Sequence, residues 1–318
     1  MHAAVLHALG RAPRYETFPD PVPGPGETIV QVRAASLKPI DRLMAGGAHY
    51  ASPGELPVVC GVDGVGVLDD GTRVFFGGVR PPYGAMAELA VVARARCRPV
   101  PEGLDDATAA ALPNPALSSW LPLVWRAKLA AGETVLVLGA TGIAGKLAIQ
   151  IARILGAGRV VAAGRNQQAL ETLSSLGADA AIQLQGSDRE VTQAFAREAG
   201  EKGYDVILDY VWGHPTELLL AALTRAGFSM KASGPRLIPI GESAWASIQV
   251  QAAGLRSAGL AILAGGFPPM NILTDAFDQA MARAVSGELR IDTERVPLAD
   301  VEAAWQRVGQ GPRLVLIP

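Results

Sequence analysis

The segment from residue 134 to residue 164 constrains the fold more than any other part of the chain. It begins with the apolar run Val135 to Leu138, typical of a strand buried on both faces of a parallel sheet. Gly139, Gly142 and Gly145 follow, at a spacing that permits a sharp reversal and the close approach of a pyrophosphate. Apolar residues then recur at helical spacing until a second apolar run at 159–163. This order predicts a dinucleotide-binding unit with a phosphate at the helix N-terminus.

The residues after the second strand indicate which dinucleotide is bound. Units that prefer NAD carry an Asp or Glu about 20 residues after the glycines, whereas units that prefer NADP place an Arg nearby. Here the strand ends on Gly164 and Arg165. We therefore predict NADPH as the cofactor, with Arg165 at its 2′-phosphate. The alternative is that Arg165 is a solvated surface residue.

The rest of the chain divides into a β-rich and an alternating part. Short runs between turn residues in the first hundred or so residues predict a mostly β domain. Helices are predicted at 107–112 and 117–129, broken near Pro113 and Pro115. A further helix is expected at 271–287 and a closing strand at 313–317. Strands that alternate with helices predict a doubly wound parallel sheet, and they are expected at 134–138, 159–163, 180–184, 205–209, 236–240 and 259–264.

Composition excludes several classes of protein. A chain of 318 residues is long enough for about two domains, and its 49% hydrophobic and 18% charged residues are typical of a packed globular protein. A formal net charge of −2 gives no basic field for nucleic acid or for an acidic membrane surface. The sequence opens without a secretory leader and has no apolar run near the about 20 residues that span a bilayer, so a cytoplasmic location is expected. Two cysteines and four scattered histidines predict neither a disulfide framework nor a catalytic zinc site.

With these features, the chain resembles the medium-chain dehydrogenase/reductase superfamily, specifically its zinc-free quinone oxidoreductase (zeta-crystallin-like) and enone reductase branch. The resemblance runs nearly end to end and depends on the order and spacing of several stretches. These are VRAASLKPIDRLMAGGAHY (32–50), LPVVCGVDGVG (56–66), GTRVF (71–75), YGAMAELAVV (83–92), AAALPNPALSSW (109–120), VLVLGATGIAG (135–145), LGADAAI (176–182), DVILDYVWG (205–213) and ERVPLADVEAAW (294–305).

The resemblance implies an α/β protein with a GroES-like β-rich catalytic domain at 1–112 and 267–318. It also implies a Rossmann dinucleotide-binding domain at 113–266, with the nicotinamide in the cleft. Ser118 stands where the family commonly has a Thr near the nicotinamide, and Arg313 where a basic residue approaches the 2′-phosphate. The implied cofactor-binding residues are Ser118, Gly139, Thr141, Gly142, Ile143, Ala144, Gly164, Arg165, Val211, Gly241 and Arg313.

Two departures from the relatives concern the chemistry. Zinc-dependent relatives place a Cys at position 38 and a His at position 62, but this chain has Lys38 and Val62. Hydride transfer is therefore expected to proceed without a Lewis-acid metal. The quinone reductase branch usually has Asn where Lys38 stands and Tyr where Leu43 stands, so its substrate contacts are expected to differ.

Three residues are candidates for the catalytic chemistry. Lys38 could stabilise the charge that develops on a carbonyl oxygen, or it could be an ordinary lysine that pairs with Asp41. Tyr50 could bond an oxygen or lie beside the nicotinamide, with His49 as its substitute; the alternative is that Tyr50 only fills a crevice.

The predicted function is an NADPH-dependent, zinc-independent reductase that transfers hydride to quinones or α,β-unsaturated carbonyls. A zinc-free carbonyl reductase and a non-catalytic NADPH-binding protein are the alternatives. The expected partner is a small-molecule substrate, without nucleic acid or membrane, and the segment 259–264 could pair across a homodimer as in relatives.

Overall fold

A computed structural model describes residues 1–225, 234–307 and 311–318. The chain separates into two compact units, which we call the split unit and the central unit. The split unit contains Met1–Pro113 together with Met281–Pro318, and the central unit contains Asn114–Ala280. The second boundary between the units, between Ala280 and Met281, lies inside the helix Met270–Val285. The resemblance to the superfamily implied a boundary ahead of that helix, between residues 266 and 267.

The described strands, in chain order, are β1 (His2–Leu6), β2 (Arg14–Thr17), β3 (Glu27–Ser36), β4 (Val58–Val59), β5 (Asp63–Val67), β6 (Arg73–Gly77), β7 (Leu89–Ala93), β8 (Arg98–Pro99), β9 (Thr134–Leu138), β10 (Arg159–Gly164), β11 (Ala180–Gln183), β12 (Val206–Asp209), β13 (Arg236–Pro239), β14 (Ala261–Ile262), β15 (Thr293–Pro297) and β16 (Arg313–Ile317). The described α-helices are α1 (Pro39–Ala45), α2 (Asp106–Ala111), α3 (Pro113–Leu121), α4 (Ile143–Ile154), α5 (Gln167–Glu171), α6 (Asp188–Ala199), α7 (His214–Arg225), α8 (Ala252–Ala258), α9 (Met270–Val285) and α10 (Val301–Gln306).

The split unit is mainly antiparallel. One sheet has the strand order β15-β16-β3-β5-β6-β8, with β7 also paired to β3, and a smaller sheet has the order β2-β1-β4. The C-terminal segment belongs to this unit because β16 pairs with β3, with Val315 opposite Ser36. The C-terminal strand therefore extends the main sheet of the split unit.

The central unit is built on a parallel sheet. In the ranges that the structure describes, its strand order is β11-β10-β9-β12-β13-β14. β9 lies in the middle and pairs with β10 on one side and β12 on the other. Its residues Val135 to Leu138 are 0% exposed, as the unbroken apolar run predicts. The predicted doubly wound α/β fold is confirmed.

The proline-containing segment after α2 differs in part from the prediction. The predicted break at Pro113 is present, because α2 ends at Ala111 and α3 begins at Pro113. Pro115 does not break a helix, because it lies in the first turn of α3, which continues to Leu121. Proline is tolerated in the first turn of a helix because the amide hydrogen that it lacks would have no intrahelical partner there. A π-helical turn, Pro122–Ala127, follows directly.

A membrane-spanning helix is not found in the described parts of the chain, where every helix is too short or too polar to cross a bilayer.

Candidate functional site

The strand order of the central unit creates a crevice at the carboxyl ends of β9 and β12. From β9 the chain proceeds outward through β10 and β11 and then returns to β12 on the opposite side of β9. Loops that leave two neighbouring strands in opposite directions diverge, and ligands of open α/β sheets bind at such a point. The chain leaves β9 at Gly139 and leaves β12 at Tyr210.

The turn after β9 has the shape that the glycines predicted. Gly139 has a φ of +84°, which disfavours any side chain. The backbone N–H groups of Gly139 and Ala140 both donate to the carbonyl of Ala163, at 2.9 Å each, and so attach the turn to β10. A Cβ at Gly145 would lie 2.3 Å from the carbonyl oxygen of Gly139, so α4 can pack this close only without a side chain there.

The first turn of α4 has donors for an anion. Its N-cap residue is Gly142, which has no side chain to accept from the N–H groups that follow, and the helix begins at Ile143. The helix dipole adds a positive partial charge at the same end. The N-terminus of α4 and the turn before it therefore fit the pyrophosphate of a dinucleotide.

The end of β10 carries the predicted 2′-phosphate residue. A Cβ at Gly164 would lie 2.7 Å from Cγ2 of Thr141, so the methyl group of Thr141 packs on the strand end. Arg165 follows and is exposed to solvent. Asn166 then caps α5 by accepting from the Ala169 N–H at 3.0 Å. Residues 164–166 therefore place an exposed arginine and no carboxylate at the carboxyl end of β10.

A buried aspartate shapes the loop after β12. Asp209 is 0% exposed, and its Oδ1 accepts from the backbone N–H groups of Val211 and Trp212, at 2.8 Å each. Burial raises the pKa of Asp209, although the hydroxyl of Thr216 and these two N–H groups oppose the increase. Gly241 donates to the Asp209 carbonyl at 3.1 Å, which joins the loops after β12 and β13. Val211 and Gly241, both predicted cofactor residues, therefore lie in one hydrogen-bonded segment.

Ser118 lies on α3 within the same unit. It is partly buried, and its hydroxyl donates to the carbonyl of Pro115 at 2.8 Å. Its backbone carbonyl lies 3.5 Å from the hydroxyl of Tyr210. Ser118 is thus connected to the β12 loop that borders the glycine turn.

The split unit contains a buried cluster of charges around Lys38, a residue that is 1% exposed. The Lys38 ammonium donates to the carbonyl and hydroxyl oxygens of Ser36, at 2.9 and 3.3 Å, and to Oδ1 of Asp63 at 2.9 Å. Asp41 Oδ2 lies 3.6 Å from the ammonium and accepts the Lys38 backbone N–H at 2.8 Å. Burial alone would lower the pKa of Lys38, but the two carboxylates outweigh it and raise that pKa. The pairing with Asp41 considered from the sequence is present, and in this conformation the ammonium has no donor left for a substrate oxygen.

Arg313 belongs to the same cluster. It is 6% exposed and donates to the Leu37 carbonyl at 3.0 Å, because the pairing of β16 with β3 places it beside that residue. Burial lowers its pKa, and the charges of Asp41 and Asp63 counteract this. Its predicted contact with a 2′-phosphate stays a prediction, since the guanidinium lies within the split unit.

His49 and Tyr50 lie in the loop after α1. Tyr50 is 92% exposed, and its ring centroid is 4.1 Å from that of His49. The Ala51 N–H donates to His49 Nδ1 at 3.1 Å, so a neutral His49 ring carries its proton on Nε2. Tyr50 is exposed and His49 is half-buried, whereas the Lys38 ammonium is enclosed.

A zinc ion does not fit the residues at position 38. An ammonium cannot ligate a metal, and it already occupies the space between the oxygens of Ser36, Asp41 and Asp63. Over the described ranges, no three His, Cys, Asp or Glu side chains come together as a metal site. The buried thiol of Cys60 is not a ready ligand either, because burial raises its pKa to about 12.

Comparisons with known proteins show which family and which solved structures the chain is similar to. A sequence family described as zinc-binding dehydrogenase matches residues 144–231, which include neither position 38 nor position 62. The crystal structure of a quinone oxidoreductase from Thermus thermophilus, also solved with NADPH, is 31% identical and covers 100% of both chains with a TM-score of 0.83. A probable NADPH-dependent quinone reductase from Emericella nidulans is 30% identical over 67% of this chain and 68% of its own length.

A much longer relative is also similar. A mycocerosic acid synthase-like polyketide synthase from Mycobacterium tuberculosis is 32% identical over 229 residues, and this match covers 69% of the present chain. The match spans 10% of the length of that relative.

The chain belongs to the medium-chain dehydrogenase/reductase superfamily, in its zeta-crystallin-like quinone oxidoreductase branch. It is homologous to NADPH-dependent quinone oxidoreductases.

Three further residues contribute to these sites. The sequence did not single out Asp63, whereas Asp209 and Tyr210 belong to residues 209–213, which the resemblance to the superfamily implies at the edge of the cofactor. Asp63 pairs with Lys38, Asp209 shapes the loop at the crevice, and Tyr210 contacts α3. Asp209 and Tyr210 end the apolar run of β12 at its carboxyl end, which is where ligands of such sheets bind, and this is the signal that the sequence gives for them. Asp63 had no such signal, because its partner is 25 residues away in sequence.

Proposed function

We propose that the protein is an NADPH-dependent reductase that transfers hydride to quinones or α,β-unsaturated carbonyls without a metal ion. The observation that carries the proposal is the crevice of the central unit. It combines an anion-binding glycine turn with the exposed Arg165 in place of a ribose-binding carboxylate.

Bound NADPH would supply the hydride, and the protein would supply binding, orientation and a proton. The first turn of α4, at Ile143 and Ala144, would hold the pyrophosphate through backbone N–H groups, and Arg165 would contact the 2′-phosphate. Val211 and Gly241 border the cofactor where the β12 and β13 loops are joined. Ser118 contacts the nicotinamide end from α3.

The proton comes from the loop after α1. Tyr50 is exposed and His49, half-buried, keeps Nε2 as its donor in the neutral ring, whereas the Lys38 ammonium is enclosed by oxygens of its own unit. Lys38 serves as an oxyanion partner only if the ammonium leaves Asp63. A carbonyl reductase would use the same groups, so the acceptor must be determined by assay.

The acceptor class is tested by measuring NADPH oxidation with a simple quinone, an enone, an enal and a saturated aldehyde. Turnover of the quinone or the enone above the aldehyde supports the proposal. Turnover of the aldehyde alone would make the protein a carbonyl reductase. NADPH binding without oxidation by any of the four would identify a non-catalytic binding protein.

Cofactor preference is tested with Arg165→Ala. A hydrogen bond to a charged group contributes about 1.5–3 kcal/mol, so the dissociation constant for NADPH should rise about 10- to 100-fold and that for NADH should stay nearly constant. Arg197→Ala is the matched control, since its side chain is 70% exposed and pairs with Glu198 on a helix of the same unit. Equal affinity of the wild type for NADPH and NADH would refute the assignment of Arg165.

A further inference from the structure

Tyr210 is held in a fixed position beside the glycine turn. The loop that carries it is shaped by Asp209, which accepts hydrogen bonds from the two residues after Tyr210, Val211 and Trp212. Trp212 has a φ of +58°, which is uncommon for a residue with a large side chain. Such a backbone persists where its surroundings determine it, so the direction in which Tyr210 leaves β12 is defined.

The side chain of Tyr210 begins directly over the turn that leaves β9. A Cβ at Gly139 would lie 3.2 Å from the Tyr210 Cβ and 3.0 Å from Val211 Cγ2. The absence of a side chain at Gly139 therefore gives the Tyr210 side chain its place against the turn.

The hydroxyl of Tyr210 reaches the middle of α3. It lies 2.7 Å from the Ser119 hydroxyl, which is itself 3.3 Å from the Pro115 carbonyl and 3.4 Å from the Ala144 carbonyl. Ser119 can donate its hydrogen to one of these carbonyls if Tyr210 donates to Ser119. The Tyr210 hydroxyl thus connects the β12 loop to α3 through Ser119, and also to the first turn of α4 when Ser119 donates to Ala144.

The α3 segment depends on such tertiary contacts. It is 9 residues long, and the π-helical turn after it starts at Pro122, which lacks the amide hydrogen for a helical bond. An isolated helix of this length is marginal in water. Burial raises the pKa of Tyr210 to about 12, so its hydroxyl stays neutral and can donate at physiological pH.

We propose that Tyr210 is a positioning residue of the dinucleotide site, which through Ser119 fixes α3 and Ser118 at the separation from the glycine turn that the nicotinamide half of NADPH requires. The inference rests on the proposed function. It adds two residues, Tyr210 and Ser119, that act on the nicotinamide end and not on the adenosine end.

The test compares two ligands in three variants. Tyr210→Phe removes only the hydroxyl, Ser119→Ala removes its partner, and the double variant removes both. Dissociation constants are measured by fluorescence titration for NADPH and for adenosine 2′,5′-bisphosphate, which lacks the nicotinamide half. Tyr204→Phe is the matched control, because the Tyr204 hydroxyl donates to the Phe195 carbonyl at 2.8 Å in the same unit.

Each single variant should bind NADPH about 3- to 10-fold more weakly, as expected for one hydrogen bond, and should bind the bisphosphate within about twofold of the wild type. The double variant should be no weaker than the worse single variant, because both remove the same contact. Tyr204→Phe should lower thermal stability and leave both dissociation constants unchanged.

Unchanged NADPH affinity in Tyr210→Phe would overturn the proposal. Equal weakening of both ligands would also overturn it, since that result indicates a general distortion of the turn. A wild type that binds the bisphosphate but not NADPH would refute the role at the nicotinamide end. A wild type that binds neither ligand would refute the proposed function, and this inference with it.

Discussion

Replacing Lys38 with methionine should destabilise the protein. Methionine keeps an apolar stem of similar length but leaves the buried Asp63 and Asp41 carboxylates without the cation that lies 2.9 and 3.6 Å from them. Removing one partner of a buried ion pair typically costs about 3–5 kcal/mol. The Asp63 side chain is 13% exposed and keeps some hydration, so we expect a loss of about 3 kcal/mol in the free energy of unfolding.

The assay is urea unfolding followed by far-ultraviolet circular dichroism, with Lys38→Met compared with the double variant Lys38→Met/Asp63→Asn. The double variant removes one charge of each sign and leaves Asp41 with Arg313. Its free energy of unfolding should therefore exceed that of Lys38→Met by more than about 1 kcal/mol. A Lys38→Met protein within about 1 kcal/mol of the wild type would refute this reasoning. If that stable variant also lost about 10²–10³-fold in kcat with an enone, the oxyanion role of Lys38 would be supported instead.

Three further predictions concern the turn, a surface histidine and metals. Gly145→Ala places a Cβ 2.3 Å from the Gly139 carbonyl oxygen, so the affinity for NADPH measured by titration should fall at least about tenfold. The control is Gly265→Ala, whose Cβ would have nothing within 4 Å and which should bind NADPH normally. Equal affinities of the two variants would contradict the packing argument. The hydrogen bond to Asp188 raises the pKa of His214, so the stabilisation that this bond gives is complete below pH 6.5 and is lost as the pH rises through the raised pKa. The free energies of unfolding measured at pH 6 and 8 should therefore differ less in His214→Gln than in the wild type, by about 0.5 kcal/mol or less because the ring is largely exposed. An unchanged difference would argue against the contact. Prolonged dialysis against a chelator should leave NADPH oxidation unchanged, and loss of activity that zinc restores would contradict a metal-free reaction.

The arrangement of strands and helices could be predicted from the sequence because local patterns determine it. A short apolar run such as 135–138, followed directly by glycines, favours a strand buried on both faces of a sheet, and the glycines permit a tight reversal after it. The same patterns predicted β16 at 313–317, with the bounds that the structure has. The helix after Pro113 was predicted less well, because a proline in the first turn of a helix resembles a break when only the sequence is considered.

The sequence by itself determined the fold class, the glycine turn and the arginine after β10, because each depends on residues close together in the chain. Only the tertiary structure decided the environments of Lys38 and Tyr210. Whether an ammonium faces solvent or a carboxylate depends on strand pairing, which here brings Asp63, from the neighbouring β5, to the ammonium of Lys38. Likewise the Tyr210 hydroxyl meets a serine 91 residues earlier in the chain, a contact that no local pattern encodes. Charge and hydrogen bonding depend on distance in space, and the fold sets that distance independently of separation along the chain.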